Sequence, residues 1–445
     1  MTRRRLAIAG MVAALAATIS LFGGILARGS SADGSAATKA PAFSGSAFLS
    51  GGRATEVAGA TTPTVIAELQ RTVRANPRDV RSLERLGLAY QQRARETGDP
   101  SYYPKSEGAL RRALKLRPRD ALVASGLGSL ALARHRFRAA LSYGRRAAAL
   151  EPAEARHWGV VGDALVELGR YRAAFRAFDR MVSLEPSASS YARISYAREL
   201  LGRPRQAIAP MRLAVEASGI GGEAHAWSRV QLGKLLWSLG RSEAAARQYR
   251  LALAAFPGYV HALDALAQVE ATRGRYQRAI ALERRAVDSV PLPQFVASLG
   301  DLYRSAGRPA LAREQYALIG AIQRLLAAGG VNADLEIALF DVDHGIRLPQ
   351  ALALARLARH DRPSIDGDDV LAWALARNGR CGEALRYSKR ALRLGTLDSL
   401  KLFHRGMIER CLGRDDSARR WFRRALALNP HFSLVWSTVA RRYAG

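Results

Sequence analysis

Proline recurs along this chain at a fixed interval. Pro118, Pro152 and Pro186 stand 34 residues apart, and so do Pro257 and Pro291. Proline lacks an amide donor and its ring clashes with the preceding helical turn, so it ends helices. A helix stop recurring every 34 residues requires one helical unit copied many times.

The segment from Glu154 to Pro186 shows the unit. Trp158, Val161, Gly162 and Leu165 fall at the three-and-four spacing of one helix face. Gly169 ends that helix, and a second follows with Ala174, Phe178 and Met181 on its inner side. Small residues at Gly162 and Ala174 let the two helices approach, while Trp158 and Phe178 fill the space around the contact. This alternation resembles the tetratricopeptide repeat, W-x2-L-G-x2-Y…A-x3-F…P. Further copies carry Leu127-Gly128 to Pro152, Leu232-Gly233 to Pro257, Gly274 to Pro291, Gly300 to Tyr316 and Gly406 to Pro430. Degenerate copies fill the gaps, including Leu335 to Pro363 and Leu371 to Ala391. The resemblance implies an all-α chain, a right-handed α-solenoid of about ten helix-turn-helix units with a concave groove. Pro63 to Asn76 reads as a leading helix and Phe432 to Tyr443 as a closing one. The ruler slips at Gly98-Asp99-Pro100 and at Gly221-Gly222, where insertions are expected to bend or interrupt the superhelix.

The amino terminus reads differently. Three arginines, Arg3 to Arg5, precede a stretch from Leu6 to Leu26 without one charge. Residues 1–28 are expected to be a signal peptide or a retained signal-anchor helix, with a buried helix as the third reading. Arginines before the stretch favour a cytoplasmic amino terminus and export of the rest. Residues 29–61, rich in Gly, Ser and Ala, are expected to form a flexible linker, and residues 62–445 the solenoid with its capping helix. Cys381 begins the second helix of its repeat and Cys411 ends the first helix of the next. In an antiparallel stack these helix ends are neighbours, so they form either a disulfide, which suits an exported chain, or two buried thiols.

The formal charge of +30 comes from 68 basic residues, spread along the whole array. Most are read as solvated helix faces; an anionic envelope polymer or lipid is the partner such a surface suits, and nucleic acid is not expected. No phosphate loop, zinc-spaced Cys or His pair or nucleophile elbow is present, so no catalytic residue, metal or cofactor is assigned. Asp341-Val342-Asp343-His344-Gly345 resembles the opening of a calcium loop, but Leu352 stands where its bidentate Glu belongs.

The groove is the expected site, for a protein or peptide. In the resembled family, first-helix positions 2, 5, 9 and 12 face it. They nominate Asp163, Tyr196, Trp227, Lys234, Trp237, His261, Asp264, Asp301, Phe340 and Trp373. The tryptophans serve either as binding anchors or as packing against the adjacent repeat. The family's carboxylate-clamp mode is not expected, because its positions hold Ser125, Gly159 and Val230.

Overall fold

The computed structural model describes residues 61–445, and all regular structure among them is helical. A leading helix α1 (Thr62–Ala75) precedes a run of antiparallel helix pairs. The first pairs are α2 (Val80–Thr97) with α3 (Tyr102–Leu116), α4 (Ala121–Ala133) with α5 (Phe137–Leu150), and α6 (Ala155–Glu167) with α7 (Tyr171–Leu184). Next come α8 (Ala188–Leu200) with α9 (Pro204–Ala217), α10 (Gly222–Ser238) with α11 (Ser242–Ala255), and α12 (Val260–Thr272) with α13 (Tyr276–Ser289). The last are α14 (Pro293–Ser305) with α15 (Pro309–Ala328), α16 (Asp334–His344) with α17 (Leu348–Asp361), α18 (Ile365–Arg377) with α19 (Cys381–Ala391), and α20 (Ser399–Cys411) with α21 (Asp415–Leu428). A closing helix α22 (Ser437–Ala444) ends the array. The expected export segment and linker lie outside the described residues, among which no helix is long and apolar enough to cross a membrane.

Local chemistry sets the 34-residue period. Several first helices begin at polar caps. The Asp79 carboxylate accepts from the Ser82 amide at 3.2 Å, Asp120 from Val123 at 3.0 Å, and Ser364 from Gly367 at 3.2 Å. Most second helices end two residues before a proline. Glu151 (φ −134°, ψ 79°), Glu185 (−148°, 100°) and Phe256 (−142°, 90°) are all extended. A following proline forces its predecessor out of the helical region. Within a pair, small faces large: a Cβ on Gly162 would collide with the Phe178 ring, which is fully buried. Burying such a ring contributes about 2–3 kcal/mol, which the glycine makes available.

The superhelix winds tightly enough for successive turns to touch. The hairpin corners of early repeats meet inter-repeat loops of late ones. Asn332 donates its amide to the Arg134 carbonyl (3.2 Å), and its own carbonyl lies 2.7 Å from His135 Nδ1. The Ile365 amide donates to the Tyr171 hydroxyl at 2.7 Å. Thr396 Oγ1 donates to the Leu200 carbonyl at 2.5 Å, and Asn429 Nδ2 to the Trp237 carbonyl at 3.0 Å. These partners are 192 to 198 residues apart, so one turn takes just under six 34-residue units. Two corners show the fit. Gly169 (φ +68°) and Gly202 (φ +70°) need left-handed backbone, and a Cβ on either would strike the carbonyl oxygen of Pro363 or Gly395 on the next turn. His135 occupies the same corner position with φ 55° and uses its ring for the inter-turn bond.

The two insertions do not interrupt the stack. They lengthen α2 to 18 residues and α10 to 17. Of the expected bend or interruption, the interruption does not occur, because Gly98 (φ 65°) caps a continuous helix instead of splitting one. The closing helix also starts later than expected. The Ser433 hydroxyl takes the amides of Val435 and Trp436, folding 432–436 into a turn before Ser437.

Candidate functional site

The first helices of successive repeats line the inside of the superhelix. Between α8, α10, α12 and α14 they enclose a cavity of about 640 Å³. Tyr196, Trp227, Lys234, His261 and Asp264, all nominated from sequence, meet there. Glu199, Glu223 and Tyr259, which the sequence reading missed, join them. Glu199 follows Tyr196 by three residues on α8, so helical spacing carried a signal for it. Tyr259 stands in the turn after Pro257, outside any groove-facing period.

The lengthened helices close one end. The extra turn of α2 carries Arg95 and Glu96 to the cavity, and Gln92 donates to Glu223 on α10 at 3.4 Å. Two irregularities 131 residues apart thus converge on one place. The leading helix also starts here, with Thr62 Oγ1 donating to Glu96 at 2.5 Å.

Burial dominates the electrostatics. It lowers the His261 pKa to about 3, with the Lys234 charge adding to the effect, so the ring is neutral. It raises Asp264 to about 6 against the opposing pull of Lys234. Behind Asp264, the pKa of the fully buried Glu283 is pushed well up by burial and by Asp264 itself. Burial and the charge of Asp398 raise Glu199 to about 7, although Lys401 and Lys234 oppose them. Lys234 is exposed to the cavity and has no ion pair within 4.0 Å among the described residues.

The other nominated residues lie elsewhere. Asp163 is buried against Arg193, accepting from Nη2 at 2.6 Å. Trp237 packs on the core of its own repeat, and its carbonyl serves the inter-turn bond from Asn429. Phe340 is buried with its ring 4.4 Å from that of His344, and Asp301 accepts from His344 and from the Tyr316 hydroxyl. Trp373 is 1% exposed, stacked on His404 at 4.6 Å with Nε1 donating to Asp343. It is closed off because Trp436, just before the closing helix, sits edge-on to it at 5.6 Å. Cys381 and Cys411 are joined in a disulfide with Cα atoms 6.0 Å apart.

The acidic stretch is neutralised by basic partners instead of forming a cation cage. Asp366 pairs with Lys401, Asp368 with Arg359, Arg390 and Arg393, Asp369 with His404, and Asp341 with Arg347. No metal-holding group occurs among the described residues. A second buried cluster links the turns. Arg362, 5% exposed, donates twice to Glu167 on the preceding turn and to Glu336 at 3.0 Å. Burial alone would lower its pKa, but the two carboxylates raise it, so the guanidinium stays charged.

A tetratricopeptide repeat family model matches residues 230–292 and 370–431. These are the pairs α10 to α13 and α18 to α21. No curated protein matches the chain. Among solved structures, it is similar to PilW, a widely conserved type IV pilus biogenesis factor, at 18% identity over 45% of this chain and 92% of that one, TM-score 0.39. It is similar to YrrB, described as having an unusual peptide-binding site, at 20% identity over 41% and 93%, TM-score 0.28. Its likeness to a human IFIT1 dimer with PPP-AAAA covers 82% of this chain and 87% of that one, at 13% identity and TM-score 0.47.

Proposed function

We propose that this chain, which a tetratricopeptide repeat model matches over residues 230–292 and 370–431, is a non-catalytic scaffold that holds a protein or peptide in the interior of its superhelix. The supporting observation is the 640 Å³ cavity, where Tyr196, Trp227 and Tyr259 supply aromatic surface and Lys234, Glu199 and Asp264 present polar groups. Aromatic side chains bury much area at low entropy cost, which suits them to anchoring a partner. The uncharged stretch from Leu6 to Leu26 behind Arg3 to Arg5 supports export and tethering to a membrane. The disulfide between Cys381 and Cys411 accords with an oxidising compartment.

Photo-cross-linking in the source cells tests this reading on the full chain. A benzophenone side chain at Lys234 should capture a protein partner. The same group at Leu251, 45% exposed on α11, should not. Adducts at Leu251 alone overturn the reading.

A second reading places an anionic envelope polymer or lipid on the outer surface. It rests on Arg145, Arg172, Arg176, Arg205 and Arg212, exposed on successive second helices without an acidic partner within 4.0 Å among the described residues. Retention on anionic vesicles that falls steeply with salt favours it, and salt-insensitive retention removes it.

A further inference from the structure

We infer that the interior cavity recognises a cationic peptide segment, with a lysine or arginine side chain held among aromatic rings, and not an acidic one. The inference rests on the cavity being the ligand site, and it deepens that reading.

In a molecule of formal charge +30, many buried acids outside the cavity are taken up by arginine. Asp163 pairs with Arg193, Glu167 with Arg362, Glu270 with Arg273, and Glu409 with Arg405. At the cavity, Glu199 and Asp264 have no basic side chain within 4.0 Å among the described residues, although Arg95 and Lys234 also line it. Glu223 has only the amide of Gln92 at 3.4 Å. One buried lining atom, Gln294 Nε2, also has no hydrogen-bond partner among the described residues. Polar groups buried without partners are costly, and a ligand that satisfies them recovers that cost.

The rest of the lining fits the same ligand. Tyr196, Trp227 and Tyr259 contribute aromatic surface, and a cation over such rings is attracted by their quadrupoles. Lys234 is the built-in competitor. Its ammonium lies in the field of Asp264, and its flexible stem can leave the space to an incoming cation. The outside of the molecule would choose the opposite partner, because exposed arginines attract acidic chains. The two surfaces therefore give answers of opposite sign. Because burial raises Glu199 to about 7 and Asp264 to about 6, retention of a cationic peptide should fall as pH drops from 8 to 5.

The test uses the full chain and a pooled hexapeptide library, acetylated and amidated at its ends. Retained peptides are read by mass spectrometry at pH 8. Lysine and arginine should be enriched over aspartate and glutamate by roughly tenfold, beside aromatic residues. Glu199→Gln with Asp264→Asn should abolish that enrichment, and Lys234→Met should increase it. A structural disturbance common to both variants would move them in the same direction, not opposite ones. Enrichment of acidic peptides, or cationic enrichment that these variants leave unchanged, overturns the inference while leaving a peptide scaffold standing. A chain that retains no peptide at all overturns both.

Discussion

Arg362→Met should separate the two turns of the superhelix. The guanidinium is buried where the α17–α18 connection meets the end of α6, and its hydrogen bonds reach Glu167 and Glu336 from one point. Methionine keeps the apolar stem and removes the charge. Glu167, itself 8% exposed, is then left buried without its cation, beside the charge of Asp366. Breaking a buried pair from one side typically costs about 3–5 kcal/mol, much of it from the stranded partner. That exceeds what a lone inter-turn hydrogen bond contributes, about 1 kcal/mol, so the neighbouring contacts cannot compensate. Small-angle scattering should show a larger radius of gyration, and thermal unfolding should begin earlier. The exposed pair Arg380–Glu383 is the control, with 43% and 35% side-chain exposure, and Arg380→Met should change stability by less than about 1 kcal/mol. Replacing Glu167 and Glu336 by Gln in the Met variant should recover part of the loss. An unchanged radius and an unchanged melting curve in Arg362→Met would refute the idea that this cluster holds the turns together.

Gly202→Ala should destabilise the fold more than Gly274→Ala. Both corners have positive φ, costing a Cβ residue about 1–2 kcal/mol, but only Gly202 faces a backbone oxygen of the next turn; urea titration gives the difference. Reduction of Cys381–Cys411 should add two hydrogens to the intact mass and cost about 3–4 kcal/mol in the last repeats, from the 30-residue loop it closes. Free thiols on protein purified without reductant would contradict this. Glu199→Gln should raise the melting temperature at pH 8, with the gain shrinking towards pH 5. A carboxyl raised to about 7 on folding lends stability below its unfolded pKa and loses it as pH rises through 7. His157 and His261 act the other way on acidification. Burial holds them near 4 and 3, so stability falls as pH drops below about 6.5 and the unfolded chain takes up protons.

The repeat was legible because its causes are local. Proline after most second helices, a polar cap before several first helices and a glycine facing a ring all lie within one 34-residue unit. The cavity was half legible: Tyr196, Trp227, Lys234, His261 and Asp264 follow from helical register. Trp373 and Phe340 share that register and are nonetheless core, because what covers them, Trp436 and Tyr316, depends on where the array ends and how it curves. The inter-turn contacts were not legible at all. Nothing in the spacing ties Arg362 to Glu167 across 195 residues; that pairing follows from the pitch, which accumulates small rotations over nearly six repeats. The slips at Gly98 and Gly221 marked the right places with the wrong consequence, since each lengthens a helix towards the cavity.

The amide of Ile365 tests the closure of the superhelix most directly. As the first residue of α18 it has no acceptor within its own helix, and its partner is the Tyr171 hydroxyl, 194 residues away on the other turn. Residue-resolved hydrogen exchange should find this amide slowed about tenfold or more relative to that of Tyr171→Phe, the factor a bond of about 1.4 kcal/mol confers. Exchange at Ile365 as fast in the native chain as in Tyr171→Phe would mean that the turns do not touch there, and that the enclosed interior on which the functional reading depends is open.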